Sequence, residues 1–213
     1  KIAFVGESGS GKSTLIKILL GLLKYSQGKV CLGDMELSGI CLNNLYDRVS
    51  YLSQDAPVFD GTIKENLVFE KKVSEEQMLG ALSEVQLSHL VENLAEGLNT
   101  EIGEKGTCLS GGEKQRLIMA RQLAKQPKAL LLDEPATMAC PKTKQEILDA
   151  VKKINKELNI TVVLVSHLPD VQKYLADRVI LLEDGEIADE FEFWISNEKA
   201  LVESLKREFN IYC

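Results

Sequence analysis

Short runs of apolar residues recur along the chain and predict β-strands. Residues 1–5, KIAFV, begin the series, and residues 129–135, ALLLDEP, have the same character with two carboxylates near the end. Val, Ile and Leu follow one another in several of these runs without polar alternation, which is typical of strands buried on both faces of a sheet. The strands predicted in this way cover residues 2–5, 28–34, 49–54, 129–135, 161–167 and 178–187.

Between these runs, apolar residues recur at helical spacing. Residues 12–23 are apolar on nearly every side, which predicts a helix sandwiched inside the domain. Residues 74–98 are amphipathic, and Ser74 with Gln77 fits a capping box at the start of a helix. Further helices are predicted from about Gly111 to Lys125, where Pro127 stops the helix, over residues 142–158, and over residues 196–209, whose apolar face we expect to pack on the core.

The order of these elements predicts an α/β fold. Strands that alternate with helices indicate a mostly parallel sheet covered on both faces. A block that is helical throughout, residues 72–125, interrupts this alternation. We therefore predict a core formed by residues 1–54 and 127–213, with a helical subdomain of residues 55–126 inserted into it.

Composition and charge narrow the class of protein. The 213 residues are 45% hydrophobic and 27% charged, as in an ordinary soluble globular domain. The net charge of −7 argues against a nucleic acid as partner, because that interaction needs clustered Lys and Arg. The most apolar helical piece, residues 15–23, contains Lys17 and falls well short of the roughly 18 residues of a membrane span. No signal-peptide pattern is recognised, and a strand without an initiator Met opens the chain, so we expect a fragment of a longer protein.

The residues that commonly bind transition metals are scattered along the chain. The five cysteines form no C-x-x-C pair and show no metal-site spacing, so we expect reduced thiols and no zinc. His89 lies in the helical block without a partner in view and is interpreted as a surface residue. The cysteines are Cys31, Cys41, Cys108, Cys140 and Cys213.

A glycine-rich loop between the first strand and the first helix predicts a nucleotide site. The stretch GESGSGKS, residues 6–13, matches the P-loop pattern G-x-x-x-x-G-K-[ST] in the strand–helix context that this motif requires. Glycines let backbone N–H groups and the helix N-terminus point at phosphate oxygens. Lys12 would reach the β- and γ-phosphates, and the Ser13 hydroxyl would bind Mg²⁺. The predicted phosphate-binding residues are Gly6, Glu7, Ser8, Gly9, Ser10, Gly11, Lys12, Ser13 and Thr14.

Two adjacent carboxylates complement this loop. Asp133 lies at the C-terminal edge of the predicted strand 129–135, beside the P-loop, where it suits Mg²⁺ bound through water. Glu134, the next residue, would face the γ-phosphate and orient or deprotonate water. One carboxylate would thus serve the metal, while the other acts as a base.

A second candidate cradle lies at residues 108–116, CLSGGEKQR. Ser110 and Glu113 satisfy a capping box, which explains a well-capped helix. Gly111 and Gly112 in the first turn are harder to explain in that way, since Gly costs about 1 kcal/mol in a helix. Because the P-loop already accounts for one triphosphate, we expect this second cradle to serve the nucleotide of another copy of the domain.

With these motifs in order, the chain resembles the ATP-binding cassette of an ABC transporter over essentially its whole length. LSGGE followed by KQR resembles the signature motif, LLLDEP the Walker B motif, LSQD around Gln54 the Q-loop, and VSH the loop of the switch histidine, His167. The stretches 54–67 and 100–106 resemble segments of exporters rather than importers. The fold implied is a P-loop NTPase core of the RecA-like type, from which the family's N-terminal antiparallel strands are largely missing.

The resemblance also implies a mechanism and partners. In the family, two cassettes stack head to tail, and each ATP lies between one P-loop and the signature of the partner, here Ser110, Gly111 and Gly112. The resemblance further implies a transmembrane domain, on the same or another chain, as a partner, ATP and Mg²⁺ as cofactors, and no nucleic acid. It also implies a position at the cytoplasmic side of a membrane. The implied catalytic residues are Glu134 as base, His167, Gln54 and Lys12, and the implied Mg²⁺ residues are Ser13, Gln54 and Asp133.

Three departures from the family pattern keep other functions open. Glu113 replaces the usual signature Gln, and Cys140 stands where the D-loop usually has Asp. The aromatic residue that stacks on adenine would precede residue 1. The first two motivate a cassette that senses nucleotide without hydrolysis. A DNA-repair or chromosome-type ATPase of the same family is disfavoured by the acidic charge and by the absence of a coiled coil between Gln54 and Ser110.

Overall fold

A computed structural model describes residues 1–68, 72–135, 141–166 and 176–192. Its main feature is a six-stranded sheet with the order β4-β5-β6-β1-β7-β8. The predicted residues His167 and Cys140, and the predicted helix 196–209, lie outside the described residues. The strands are β1 Ile2–Val5, β2 Cys31–Leu32, β3 Met35–Glu36, β4 Val49–Leu52, β5 Ala129–Asp133, β6 Thr161–Val165, β7 Arg178–Glu183 and β8 Glu186–Glu192.

The sheet is mostly parallel, as the sequence predicts. β1 lies between β6 and β7 and is parallel to both, and β4, β5 and β6 continue the parallel arrangement. Only β8 is antiparallel to its neighbour in this sheet, while β2 and β3 form a separate short hairpin. The carboxyl ends of β1, β4, β5 and β6 therefore meet at one edge of the sheet, where open α/β sheets bind ligands.

Seven α-helices lie within the described residues. The capping box predicted at Ser74 is present at the start of α4. The Ser74 hydroxyl accepts from Gln77 N (3.2 Å), and Gln77 Oε1 accepts from Ser74 N (2.8 Å). The predicted helix from about Gly111 and the helix over 142–158 are also confirmed. The helices are α1 Lys12–Leu19, α2 Leu42–Arg48, α3 Ile63–Val68, α4 Glu75–Glu84, α5 Ser88–Glu92, α6 Gly111–Leu123 and α7 Pro141–Leu158.

The prediction of a helix over 12–23 that is buried on all sides is wrong. α1 ends at Leu19, and beyond it Leu22 and Leu23 are 57% and 43% exposed. The helix stops because Gly21 adopts φ 69°, Gly21 N donates to Ile18 O, and Leu22 N donates to Lys17 O. These bonds form a Schellman motif, which an apolar pattern alone does not reveal.

Two other predicted elements are interrupted by turns. The segment 74–98 divides into α4, α5 and a 3₁₀ turn at Gly97–Asn99, with Gln86 at φ 58° between the two helices. The predicted strand 178–187 is a hairpin of β7 and β8 joined by Asp184 and Gly185. This Asp-Gly pair is a strong signal for a two-residue hairpin turn.

The buried apolar side chains join the sheet to the helical block. The largest cluster includes Leu130 and Leu132 of β5 together with Met78 of α4 and Leu117 of α6. The division into a core and a subdomain of residues 55–126 stays a prediction. No described helix is long and apolar enough to cross a bilayer.

A buried arginine ties the start of the helical block to α6. Arg121 is 5% exposed, and its guanidinium donates to Asn66 O (2.7 Å), Asn66 Oδ1 (2.7 Å) and Pro57 O (2.8 Å). It also lies 4.7 Å from the centre of the Phe59 ring. Burial lowers the pKa of Arg121 to about 10, so the group is cationic at neutral pH. The segment after Gln54 is thereby fixed to α6, the helix that Ser110 caps.

We expect Arg121→Met to lower the free energy of unfolding by about 3 kcal/mol, because it leaves buried carbonyl oxygens without a charged donor. Urea denaturation measures this difference. Arg48→Met, at an exposed position on α2, is the matched control and should change stability by less than about 0.5 kcal/mol. Equal stability of the two variants would contradict a structural role for the guanidinium.

Candidate functional site

The P-loop forms where β1 passes into α1, at the edge where the parallel strands end. Gly6 is buried, and a Cβ at this position would collide with Leu182 O of β7. Gly11 caps α1 with φ 97°, so the first helical residues present their N–H groups to the loop. The sequence therefore builds the cradle from a close contact of two backbones and from a free helix N-terminus.

Lys12 points into the loop. Its ammonium donates to Gly6 O (2.9 Å), Glu7 O (2.6 Å) and Ser10 Oγ (3.2 Å), so the loop surrounds one positive charge. Burial lowers the pKa of Lys12, and the nearby charges of Glu134 and Asp133 act in the opposite direction. This arrangement suits a phosphate, which would replace neutral carbonyl partners with anionic oxygens.

Asp133 ends β5 beside the loop and is 7% exposed. Ser13 Oγ donates to its Oδ1 (3.3 Å), and the Tyr51 hydroxyl donates to its Oδ2 (3.1 Å). Burial and the carboxylate together raise the pKa of Tyr51 to about 12. The hydroxyl oxygen of Ser13 and the carboxylate of Asp133 are hard oxygen donors, which is the chemistry that Mg²⁺ prefers.

Glu134 has an unusual backbone. Its φ is 52°, a left-handed value that is rare for a residue with a side chain, and its N donates to Val165 O (2.9 Å). The Ser166 hydroxyl donates to Glu134 Oε2 (3.4 Å). The end of β6 therefore fixes both the backbone and the carboxylate of Glu134, as is common where a site needs a set geometry.

A cavity of about 520 Å³ unites these groups, a size typical of small-molecule sites. Gly6, Glu7 and Ser10 lie behind it as partners of Lys12. The sequence thus identified most of the cavity wall. The described lining residues are Ser8, Gly9, Gly11, Lys12, Ser13, Thr14, Gln54, Asp133, Glu134 and Val165.

The second cradle does not line this cavity, although Gly111 lines a neighbouring cavity of about 250 Å³ that shares Gln54 and Glu134 with it. Ser110 and Gly111 are exposed at the start of α6, and neither they nor Gly112 are among the described lining residues of the larger cavity. Glu113 Oε2 accepts from Ser110 N (2.7 Å) and from Ser110 Oγ (2.6 Å), which holds the pKa of Glu113 below its usual value. The predicted capping box is confirmed, and the Ser110 hydroxyl proton is directed at a carboxylate of its own helix.

The match of residues 1–137 to the family described as ABC transporter decides the family. The chain belongs to the ABC transporter family. Among its relatives, an ABC transporter ATP-binding protein of Methanocaldococcus jannaschii is 40% identical over 191 residues, covering 87% of this chain and 34% of the relative. The mitochondrial iron-sulfur clusters transporter ATM1 of Candida albicans is 33% identical over 196 residues, covering 91% and 26%.

A solved structure gives the same result for the fold. A bacterial Atm1-family ABC exporter with ATP bound superposes with a TM-score of 0.82 at 27% identity, covering 98% of this chain and 35% of that one. The predicted fold class and the resemblance to an ABC transporter cassette are thus confirmed. The chain spans about a third or less of the length of these relatives.

Within this ABC transporter fold, two residues of the site were missed from the sequence. Tyr51 was assigned only to a strand, and Ser166 only to the stretch before His167. Both act through hydroxyl contacts to a carboxylate on β5 or just beyond it, so they could be found only from the pairing of strands. An alternating pattern in β4 does place Tyr51 and Val49 on one face, but it does not identify what that face meets.

Proposed function

We propose that the chain is the ATP-binding and ATP-hydrolysing cassette of an exporter, and that it works as a head-to-tail dimer. The observation that carries this proposal is that the start of α6 does not line the cavity formed by the P-loop, Asp133 and Glu134. The cavity with Lys12, Asp133 and Glu134 forms one half of a hydrolytic centre. The exposed start of α6 at Ser110 and Gly111 supplies the other half to a second copy.

The chemistry follows from the positions of the charges. Backbone N–H groups of the P-loop and the ammonium of Lys12 bind the β- and γ-phosphates of ATP. Ser13 and Asp133, with Gln54, would hold Mg²⁺, which supplies neutralisation of phosphate charge when bound. Glu134, fixed at the end of β6, accepts the proton of the attacking water. His167 is proposed to assist at the γ-phosphate by its place in the motif.

The transport role rests on the relatives. They include an ATP-dependent permease, a putative export ATP-binding/permease protein and an ABC exporter of solved structure, and each is about three times as long as this chain. We infer a transmembrane domain on the same or a partner chain and a position at the cytoplasmic side of a membrane. The exposed Phe59 and Asp60 follow Gln54 in the stretch 54–67, which resembles the segment after the Q-loop of exporters.

A concentration series tests the dimer. The rate of ATP hydrolysis per chain should rise with protein concentration and level off as the dimer fills, with light scattering measured in parallel. A rate per chain that is constant in a monomeric sample contradicts the proposal. ATP-driven dimerisation without turnover would instead identify the nucleotide sensor, and stimulation of turnover by DNA would favour the DNA-repair type.

A further inference from the structure

We propose that Tyr51 is a positioning residue that orients the Asp133 carboxylate toward the metal carried by the nucleotide. The inference rests on the proposed function, because the metal is the Mg²⁺ of Mg-ATP. It concerns a residue on β4 that belongs to none of the motifs in the P-loop, the Q-loop or the signature. Three features support this role: the pairing of strands, the packing of the ring and the two hydroxyl donors at Asp133.

The register of the sheet brings Tyr51 to Asp133. In the parallel pair of β4 and β5, Tyr51 is the partner of Leu131. Leu131 and Asp133 are two residues apart on a strand and share a face, so the side chain of Asp133 is the diagonal neighbour of Tyr51. Tyrosine is long enough to span this diagonal, and its hydroxyl reaches Oδ2 at 3.1 Å.

Packing fixes the ring. Tyr51 packs against a small buried cluster between α1 and the sheet, formed by Ile16, Leu20, Leu131 and Val165. A phenylalanine would satisfy this apolar contact equally well. The hydroxyl is therefore not explained by packing, and its described partner is the carboxylate.

The two oxygens of Asp133 have different donors. Ser13 Oγ donates to Oδ1, and Tyr51 donates to Oδ2, so the plane of the carboxylate is set from both sides. When Ser13 Oγ binds a cation, its hydrogen bond to Asp133 Oδ1 must change. Tyr51 then remains as the donor that keeps Oδ2 turned away and Oδ1 directed toward Ser13, which is the role of an outer-shell partner of a metal ligand.

Tyr51→Phe tests this role through the metal dependence of binding. ATP affinity of the full chain is measured by calorimetry in EDTA and over a series of Mg²⁺ concentrations. We expect affinity in EDTA to stay within about twofold, while the Mg²⁺ concentration for half-maximal enhancement rises about 10-fold. Since the substitution keeps the ring, the midpoint of thermal unfolding verifies that the variant is folded.

Tyr46→Phe is the matched control. Tyr46 lies on α2, and its hydroxyl donates to Leu20 O (3.1 Å) at the C-cap of α1, which is not among the described lining residues of the cavity. The control should keep the Mg²⁺ dependence of the wild type. If Tyr51→Phe shows the same Mg²⁺ dependence as Tyr46→Phe and the wild type, the positioning role is overturned. A wild-type chain that binds no ATP, with or without Mg²⁺, would instead overturn the proposed function.

Discussion

Glu134→Gln should lower the rate of ATP hydrolysis by about 100- to 10,000-fold, the usual contribution of a positioned general base. Glutamine has the shape of glutamate but cannot accept a proton from water. The contacts that fix this position are kept, because Glu134 N still donates to Val165 O and the Ser166 hydroxyl can donate to an amide oxygen. ATP affinity should therefore stay within a few fold, and the ATP-bound dimer should accumulate.

Phosphate release and light scattering measure these two results on the same sample. Glu96→Gln, an exposed glutamate after α5, is the matched control for replacing a carboxylate by an amide. It should hydrolyse ATP at the wild-type rate. Turnover of Glu134→Gln close to that of Glu96→Gln would show that another group activates water, and the assignment of the base would be wrong.

The sequence predicts the sheet because strands that are buried on both faces consist of consecutive apolar residues. In a chain whose strands and helices alternate, the continuous apolar runs of β1, β5 and β6 predict buried strands. The short helices α2 and α3 are not predicted, and the errors in the predicted elements concern ends and turns. The Schellman motif at Gly21 ends α1 early, and the pair Asp184–Gly185 divides one run into two strands. In each case a local backbone turn sets where the element ends, and the apolar pattern does not reveal that turn.

The candidate site likewise contains residues that a local pattern predicts and contacts that it does not reveal. Lys12, Ser13 and Asp133 are predicted because the P-loop and the strand that ends in two carboxylates are each patterns of a few neighbouring residues. The contact of Tyr51 with Asp133 joins two strands that are far apart in the chain. It depends on the register between β4 and β5, and a shift by one residue would turn Tyr51 to the opposite face. Sequence reasoning cannot fix that register without the fold.

The second cradle contains a glycine that the isolated chain does not need. Gly111 is the first residue of α6, it does not have a positive φ, and a Cβ there would meet no atom within 4 Å. A side chain at this position would therefore cost the fold nothing. The open space above it lets an anion or a second copy approach the backbone, as the proposed head-to-tail arrangement requires.

Gly111→Val should thus separate stability from function. We expect the free energy of unfolding to change by less than about 1 kcal/mol, while ATP hydrolysis falls at least about 100-fold because the side chain blocks the donors at the start of α6.

Gly80→Val is the matched control, since Gly80 is exposed on α4 and is equally free of neighbours within 4 Å. It should leave hydrolysis unchanged. The mixed dimer is the decisive measurement: combining the Gly111→Val chain with a Lys12→Ala chain places one intact P-loop and one intact signature in the same composite site and both defects in the other. If two half-sites act across the interface, the Gly111→Val chain keeps its own P-loop and gains the intact signature of its partner, so one active site per dimer is restored. Two inactive variants that recover no hydrolysis at any mixing ratio would contradict a shared site and leave Gly111 without a role at the interface.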